Sequence, residues 1–481
     1  MRPFRLPLPY PPRAVRWARR SRRHARQSPP ARAGNARRRH AFVRSRCGDS
    51  GVSAAYGRSM SAVHPPESRP GHPPHTGPPP GPFRPAFWRS PLRGPWFTAL
   101  LGTVLLVGLP LMLLTGLLSY AAYNPDLPGN DTTPGKGLLG FYLFSWPTDP
   151  PWLYRLNQGV HVTLGVALVP VVLAKLWSVL PRLFAWPPLR SARHALERAS
   201  TLLLVGSALF EFATGILNMQ LFYVFPGSFY ALHFYGAWVF LAALAVHLAT
   251  RVGKLRRGLH DRGMDELRAT EPAPPTISRR GAAALVGAGS LGLVAVTAGQ
   301  SIGGPLRRTA LLAPHGGADP GEGPNGFQIN KTAAALGIDP ADIGERWRLV
   351  VRAGSGPRTV FTRAELLALP QHTAALPIAC VEGWSTDDQM WRGVRLADLA
   401  ALVGAGEGDG VFAESAQQKG AFRAASLRAN QVRDPRSLLA LHVNGAALSR
   451  DHGYPARIIV PANPGVHNTK WVTRLTFGEL P

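Results

Sequence analysis

Two kinds of residue in this 481-residue chain suit redox or metal chemistry. The first is Cys380, the only cysteine besides Cys47. It stands in "LPIACVEGWSTDDQMWRGVRL", residues 376–396, between an apolar run and a Glu-Gly-Trp sequence. Two cysteines so far apart make no disulfide framework or zinc site. Three roles stay open for it: a nucleophile with His372, His442, His452 or His467 as base, an inert buried thiol, or a soft thiolate ligand for a metal. The second kind is histidine in apolar surroundings: His161, His194, His233 and His247. Ionisable groups in such surroundings are costly and usually functional. His233 and His247 are 14 residues apart in one apolar stretch. On a helix that is about 40° short of four turns and about 21 Å of rise, so they share a face at two depths. Two such ligands suit two cofactors stacked across a bilayer. The plainer reading is hydrogen bonding between helices or at an interface.

Five stretches have the length and apolarity of spanning helices: roughly 97–122, 158–180, 200–224, 229–250 and 281–299. The loops after the second and fourth are rich in Lys and Arg, among them Arg182, Arg190, Arg193, Arg198, Arg251, Lys254, Arg256 and Arg257. The positive-inside rule puts these loops and the N-terminus in the cytoplasm, and five crossings put everything after residue 300 outside. His161 and His233 then lie a few residues in from the outer ends of their spans. His247 lies near an inner end, and His194 just before or within the first turn of the third span. Two imidazoles from facing helices are the axial set of a low-spin b-type haem. Helix count and histidine placement over roughly 95–255 resemble the bacterial cytochrome b561-type membrane cytochromes. That resemblance implies one or two b haems, ligated by His161 with His233 and by His194 with His247, and a quinone or quinol partner. Glu211, inside the third span, is either a quinone or proton contact or an interhelical hydrogen-bond partner.

The remaining segments divide by composition. The chain carries a net charge of +27, concentrated in residues 1–59 with sixteen Arg against one acid, Asp49. That tail and the Pro-rich leader after Met60, a second candidate start, lack apolar periodicity and are expected to be disordered. Nucleic-acid binding is not the expected use of the charge. "TISRRGAAALVGAG" (276–289) has the twin-arginine form that precedes export of folded domains, or is a plain positive-inside anchor. After residue 305, short strand-like runs such as "WRLVV" (347–351) and "ARIIVPA" (456–462) alternate with short helical ones, predicting a β-rich α+β domain. No internal repeat is evident.

Three blocks in this last segment resemble the sulfite oxidase type of molybdopterin enzyme, including its protein-methionine-sulfoxide reductase branch. They are "GFQINKTAAAL" (326–336), "CVEGWSTDDQMWRGVRLADLAALV" (380–403) and "HVNGAALSRDHGYPARIIVPANPGVHNTKWVTRLTF" (442–477). The resemblance implies molybdenum on Cys380, with Arg392 the nearest candidate for contact with an anionic substrate. It also implies a pterin held by Asn330, Lys331 and Thr332, and by Arg450, His452, Arg457, Asn468, Lys470 and Trp471. A cationic neighbour is expected to hold the Cys380 sulfur deprotonated. The family's arginine cluster is missing near Cys380, and Asp387 and Asp388 bring negative charge instead, which argues against sulfite.

The sequence therefore predicts a disordered tail (1–95), a membrane all-α four-helix haem bundle (96–255), a linker with a fifth anchor span (256–304), and an α+β molybdopterin oxidoreductase domain (305–481). The expected activity is oxygen-atom transfer with a small donor or acceptor at an extracytoplasmic molybdenum centre, coupled through haem to quinone in a bacterial cell membrane. The alternative is a transmembrane b-type cytochrome whose outer domain binds a ligand or partner without catalysis.

Overall fold

The computed structural model describes residues 77–131, 141–187, 191–219, 229–260, 277–312 and 324–480. The basic tail, Met60 and the end of the third predicted span (220–224) lie outside the described residues.

All five predicted spans are helices long and apolar enough to cross a membrane. They are α1 (Pro95–Tyr123), α2 (Leu153–Leu183), α3 (Ala192–Met219), α4 (Phe229–His260) and α5 (Arg279–Ala295). α1 packs on α2 and α3 on α4, and α5 lies along α2. Val107, Leu114, Leu202, Leu203, Leu285 and Leu291 all point outward and exposed. An apolar exterior of that extent suits lipid rather than water. Ser278 caps α5, accepting from Gly281 N at 3.0 Å, and Arg279 Nε donates to Pro91 O at 3.1 Å just ahead of α1. The first of the paired arginines is therefore an internal brace in the folded chain.

A one-turn helix α6 (Gly299–Ile302) leads to the β-rich domain. Its strands are β1 (Leu349–Ala353), β2 (Thr359–Phe361), β3 (His372–Leu376), β4 (Gln389–Arg395), β5 (Gly410–Ser415), β6 (Ala424–Leu427), β7 (Leu438–Val443), β8 (Ala446–Ala447), β9 (Arg457–Ile459) and β10 (Val472–Gly478). One sheet has the order β2-β1-β10-β5-β6; the other runs β3-β4-β7-β8, with β9 also on β7. Alternate residues of the two sheets meet in one core: Leu349 and Val351 (β1), Leu475 and Phe477 (β10) against Val394 (β4), Leu439 and Leu441 (β7) and Ile458 (β9). Short helices α7 (Arg363–Ala368), α8 (Leu396–Leu402) and α9 (Ala429–Arg433) connect strands. Of the predicted strand 456–462 only β9 pairs. Val460 N donates to Asn468 Oδ1 at 3.1 Å instead, and Pro461 has no N–H to give.

The β-rich domain sits on the helix ends. Tyr123 at the end of α1 and Tyr154 at the start of α2 pack with Trp146, Ala379 and Ala462. Trp146 Nε1 donates to Ala462 O at 2.8 Å, and Asn130 exchanges two hydrogen bonds with the Ser426 backbone, at 3.0 and 2.7 Å. Tyr230, at the start of α4, stacks on Tyr123 at 5.6 Å between ring centres. One face of the bundle thus gathers the end of α1 and the starts of α2 and α4.

Candidate active site and histidine pairs

Between β3 and β4 the chain makes a tight loop that presents Cys380. Cys380 N donates to Trp384 O at 2.9 Å and Gly383 N to Cys380 O at 3.0 Å. Gly383 has φ +95, a conformation that a side chain resists. Below the loop, Ile378 and Thr386 bond to each other twice, at 2.8 and 2.9 Å. Trp384 Nε1 donates to Glu382 Oε2 at 2.9 Å. The thiol is 2% exposed and lines a cavity of about 570 Å³. Asn330 Nδ2 lies 3.8 Å from the sulfur, Glu382 also bonds to it, and among the described residues no imidazole does. The nucleophile reading, with His372, His442, His452 or His467 as base, therefore has no imidazole at the sulfur among the described residues. Burial, with Glu382 beside it, pushes the thiol well above its usual range. The expected cationic neighbour is thus replaced by an acidic one, and a thiolate here needs a metal to displace the proton.

Seven of the predicted cofactor residues line this cavity: Asn330, Lys331, His452, Arg457, Asn468, Lys470 and Trp471. Gln328 and Thr469, which the sequence did not single out, line it too. Arg457 is fully buried, donating to His452 O at 3.1 Å and Asn468 O at 3.2 Å. Burial pulls its guanidinium down to about 9, and burial together with Arg457 pulls Lys470 down to about 7 and His452 down to about 4. Lys470 Nζ is held by Lys331 O at 2.6 Å and Asp451 O at 2.9 Å. Five buried polar atoms around the cavity have no partner among the described residues: Gln328 Nε2, Asn330 Oδ1, Arg457 Nε, Asn468 Nδ2 and Thr469 Oγ1. Orphaned donors and acceptors at this density are expensive unless a ligand satisfies them. With the buried Arg457 guanidinium among them and the half-buried Lys470 beside them, the set fits a large polar ligand with an anionic end, as a pterin phosphate is.

Three predicted residues fall elsewhere. Arg392 is exposed on β4, opposite Thr373 and His442, and is not among the cavity's lining residues. Strand alternation turns Trp391 inward and therefore Arg392 outward. Arg450 is exposed and contributes its carbonyl to Trp471 Nε1 at 2.7 Å. Thr332 is exposed and accepts from Ala335 N at 3.2 Å. The two predicted pterin contacts, Arg450 and Thr332, thus shape the backbone outside the cavity.

The helical region closes the cavity's other side. Tyr123, Phe229 and Tyr230 line it opposite the β-rich domain. It also grips the cysteine loop: Gln158 Nε2 donates to Val381 O, and Ser301 Oγ to Gly383 O at 3.1 Å. Ser385 Oγ donates to Gln300 O at 3.2 Å. Arg307, in the segment that follows α6, adds bonds to Ser385 O and to Asp387 Oδ1 and Oδ2 at 3.1 and 3.3 Å. Burial alone would raise the Asp387 carboxyl, but Arg307 holds it below the usual range. Of the two acids expected to bring negative charge near Cys380, Asp387 is held in this clamp.

Within the bundle, His161 (α2) and His233 (α4) have ring centres 6.3 Å apart with planes at 90°. With metal–nitrogen bonds of about 2 Å, two imidazoles on opposite sides of one metal have ring centres roughly 6 Å apart. Glu211 Oε2 lies 3.1 Å from His233 Nδ1, so it is an interhelical partner, the second of its two readings. Towards the other end of the bundle, a cavity of about 650 Å³ is lined by both His194 and His247, with Lys175 and Arg198 beside them. His194 stands in the first turn of α3, as expected. These two histidine sets fit one or two haems in donor type and placement.

Residues 336–481 match the family described as oxidoreductase molybdopterin binding domain. The chain is 31% identical over 166 residues to the mitochondrial sulfite oxidase of Drosophila melanogaster, covering 30% of this chain and 28% of that protein. An uncharacterized oxidoreductase of Bacillus subtilis, YuiH, is 29% identical over 132 residues, covering 27% of this chain and 65% of the relative. Among solved structures, the sulfane dehydrogenase SoxCD of Paracoccus pantotrophus matches at 28% identity and a TM-score of 0.26, covering 28% of this chain and 39% of that one. The chain thus spans less than two thirds of each of these proteins. The C-terminal region is a sulfite oxidase-like molybdopterin-binding domain, the kind that molybdopterin oxidoreductases carry.

Proposed function

We propose that the chain is a membrane-bound oxidoreductase in which a molybdenum centre on Cys380 exchanges electrons with b-type haem in the same polypeptide. The observation that carries this reading is the clamp: the loop holding Cys380 is bonded through Val381 to Gln158, one helical turn from His161. When bound, the molybdenum–pterin group supplies two-electron oxygen-atom transfer, and haem carries electrons singly. Each residue then has a part. Cys380 ligates the metal, and Arg457 and Lys470 meet the cofactor's anionic end. Asn330, Gln328, Asn468 and Thr469 offer their unpartnered atoms to the pterin, and Phe229 and Tyr230 exclude water from the helical side. His161 with His233, and His194 with His247, hold iron at two depths. The Ser278-Arg279-Arg280 signal suits export of a domain that has already folded around its cofactor. The basic loops then face the cytoplasm of a bacterial cell, the molybdenum domain lies outside, quinone or quinol is the membrane partner, and a small oxygen-atom donor or acceptor is the substrate.

Metal analysis with a reduced-minus-oxidised spectrum of the purified membrane protein tests both centres. Stoichiometric molybdenum and a bis-histidine b-type signal are expected, and His233→Ala removes one haem. Haem without molybdenum would favour the cytochrome with a non-catalytic outer domain.

A further inference from the structure

The helical region contains a repeat that the sequence alone hides. "LTGLL" (114–118) on α1 and "ATGIL" (213–217) on α3 place a Thr-Gly pair against the histidine of the next helix. Thr115 Oγ1 is 2.9 Å from His161 Nδ1, and Thr214 Oγ1 is 3.1 Å from His233 Nδ1. The glycines give way to the rings: a Cβ on Gly116 would lie 3.4 Å from His161 Cε1, and one on Gly215 3.3 Å from His233 Cε1. Each two-helix unit, α1 with α2 and α3 with α4, presents one imidazole in the same way.

The direction of the protons follows from the threonines and the backbone. Each hydroxyl has one proton and gives it to its own helix, Thr115 to Leu111 O at 2.8 Å and Thr214 to Phe210 O at 2.8 Å. With its proton so placed, each hydroxyl oxygen accepts from the imidazole. Nδ1 therefore carries the hydrogen in both rings, because the backbone carbonyl beside it, of Met112 or Glu211, can only accept. Nε2 is left with the free pair, the form a metal ligand needs. Backbone carbonyls face the same rings, that of Met112 in the first unit and that of Glu211 in the second, and Glu211 Oε2, at 3.1 Å from His233 Nδ1, is a further acceptor on the second unit.

We infer that Thr115 and Thr214 are positioning residues, which fix the tautomer and ring angle of His161 and His233 so that both Nε2 atoms ligate one haem iron. This deepens the haem reading above and rests on it. An acceptor on the far nitrogen makes an imidazole a stronger donor and favours the oxidised metal.

The test is a potentiometric titration of the haem band in membranes carrying the full chain. Thr115→Val and Thr214→Val keep the shape and remove the hydroxyl acceptor, leaving the backbone carbonyl of Met112 or Glu211; Thr115→Ser and Thr214→Ser keep both. Each valine variant is expected to raise the midpoint potential and to weaken haem retention by up to about 10-fold, the low end of the cost of losing such a partner, because a carbonyl acceptor stays on each ring. Each serine variant is expected to behave as the wild type. Where valine does not assemble, Thr→Ala removes the hydroxyl acceptor without adding bulk, and the same shift is expected. A wild-type bis-imidazole signal that is indifferent to loss of both hydroxyls, or moved equally by serine, overturns the inference and leaves the haem reading standing. A wild-type protein without that signal overturns both.

Discussion

Arg307, in the segment that follows α6, ties that segment and Gln300 of α6 to the cysteine loop. It is 8% exposed and joins Gln300 O (3.4 Å), Ser385 O and both carboxylate oxygens of Asp387. Arg307→Ala strands the carbonyl of Ser385, a residue that is 2% exposed. An abandoned buried acceptor costs about 1–3 kcal/mol. The Asp387 pair adds little, because that side chain is 55% exposed and solvent screens it to about 0–1 kcal/mol. A loss of about 2–3 kcal/mol, confined to the loop, accelerates amide exchange there roughly 30- to 150-fold at 1.4 kcal/mol per tenfold. Hydrogen exchange followed by mass spectrometry reads it in peptides covering 380–388, with β5 and β10 as internal controls. Asp387→Asn is expected to change the same peptides less than about fivefold. Exchange that is unaltered in Arg307→Ala, or raised equally in the loop and both control strands, refutes the claim that a local clamp holds the cysteine loop.

Two further outcomes follow from the site. Gly383→Ala forces a side chain into φ +95 and sets its Cβ 2.8 Å from Val162, so about 1–2 kcal/mol of backbone strain adds to a clash with α2. Its melting temperature is expected to fall, with Val162→Ala restoring only part. Lys470 gives a pH signature. Burial and Arg457 hold it near 7, so an anionic ligand end, which prefers the charged form, binds fully below about 7 and less well as pH rises through it. Cofactor loss on dilution is expected to quicken from pH 6 to 8 in the wild type and to be fast and flat in Lys470→Met. Without ligand the sign reverses: the unfolded chain binds the extra proton between about 7 and 10.4, so Lys470 makes the empty protein more stable as pH rises across that window.

The sequence disclosed what lies in continuous stretches. The five apolar helices, the β-rich domain and the loop around Cys380 are each written in one run of residues, and their periodicity or composition carries them. It disclosed less where distant segments meet. Tyr123, Phe229 and Tyr230 reach the cavity from helices more than 140 residues before Cys380, and no local pattern marks them. Asp387 looked like a free charge near Cys380 because its partners, Arg307 and Arg155, lie 80 and more positions upstream. Arg392 is a different error: "QMWRGVR" is a strand with Trp391 inward, and alternation alone turns the arginine away. The Thr-Gly repeat stayed hidden because two short words 99 residues apart gain meaning only once each is seen against a histidine.

The central claim, a metal held by the Cys380 sulfur, is tested most directly by X-ray absorption at the molybdenum edge on wild-type protein and Cys380→Ser. The account predicts a wild-type spectrum with one more sulfur neighbour than the variant. Equal sulfur counts in the two proteins would contradict it.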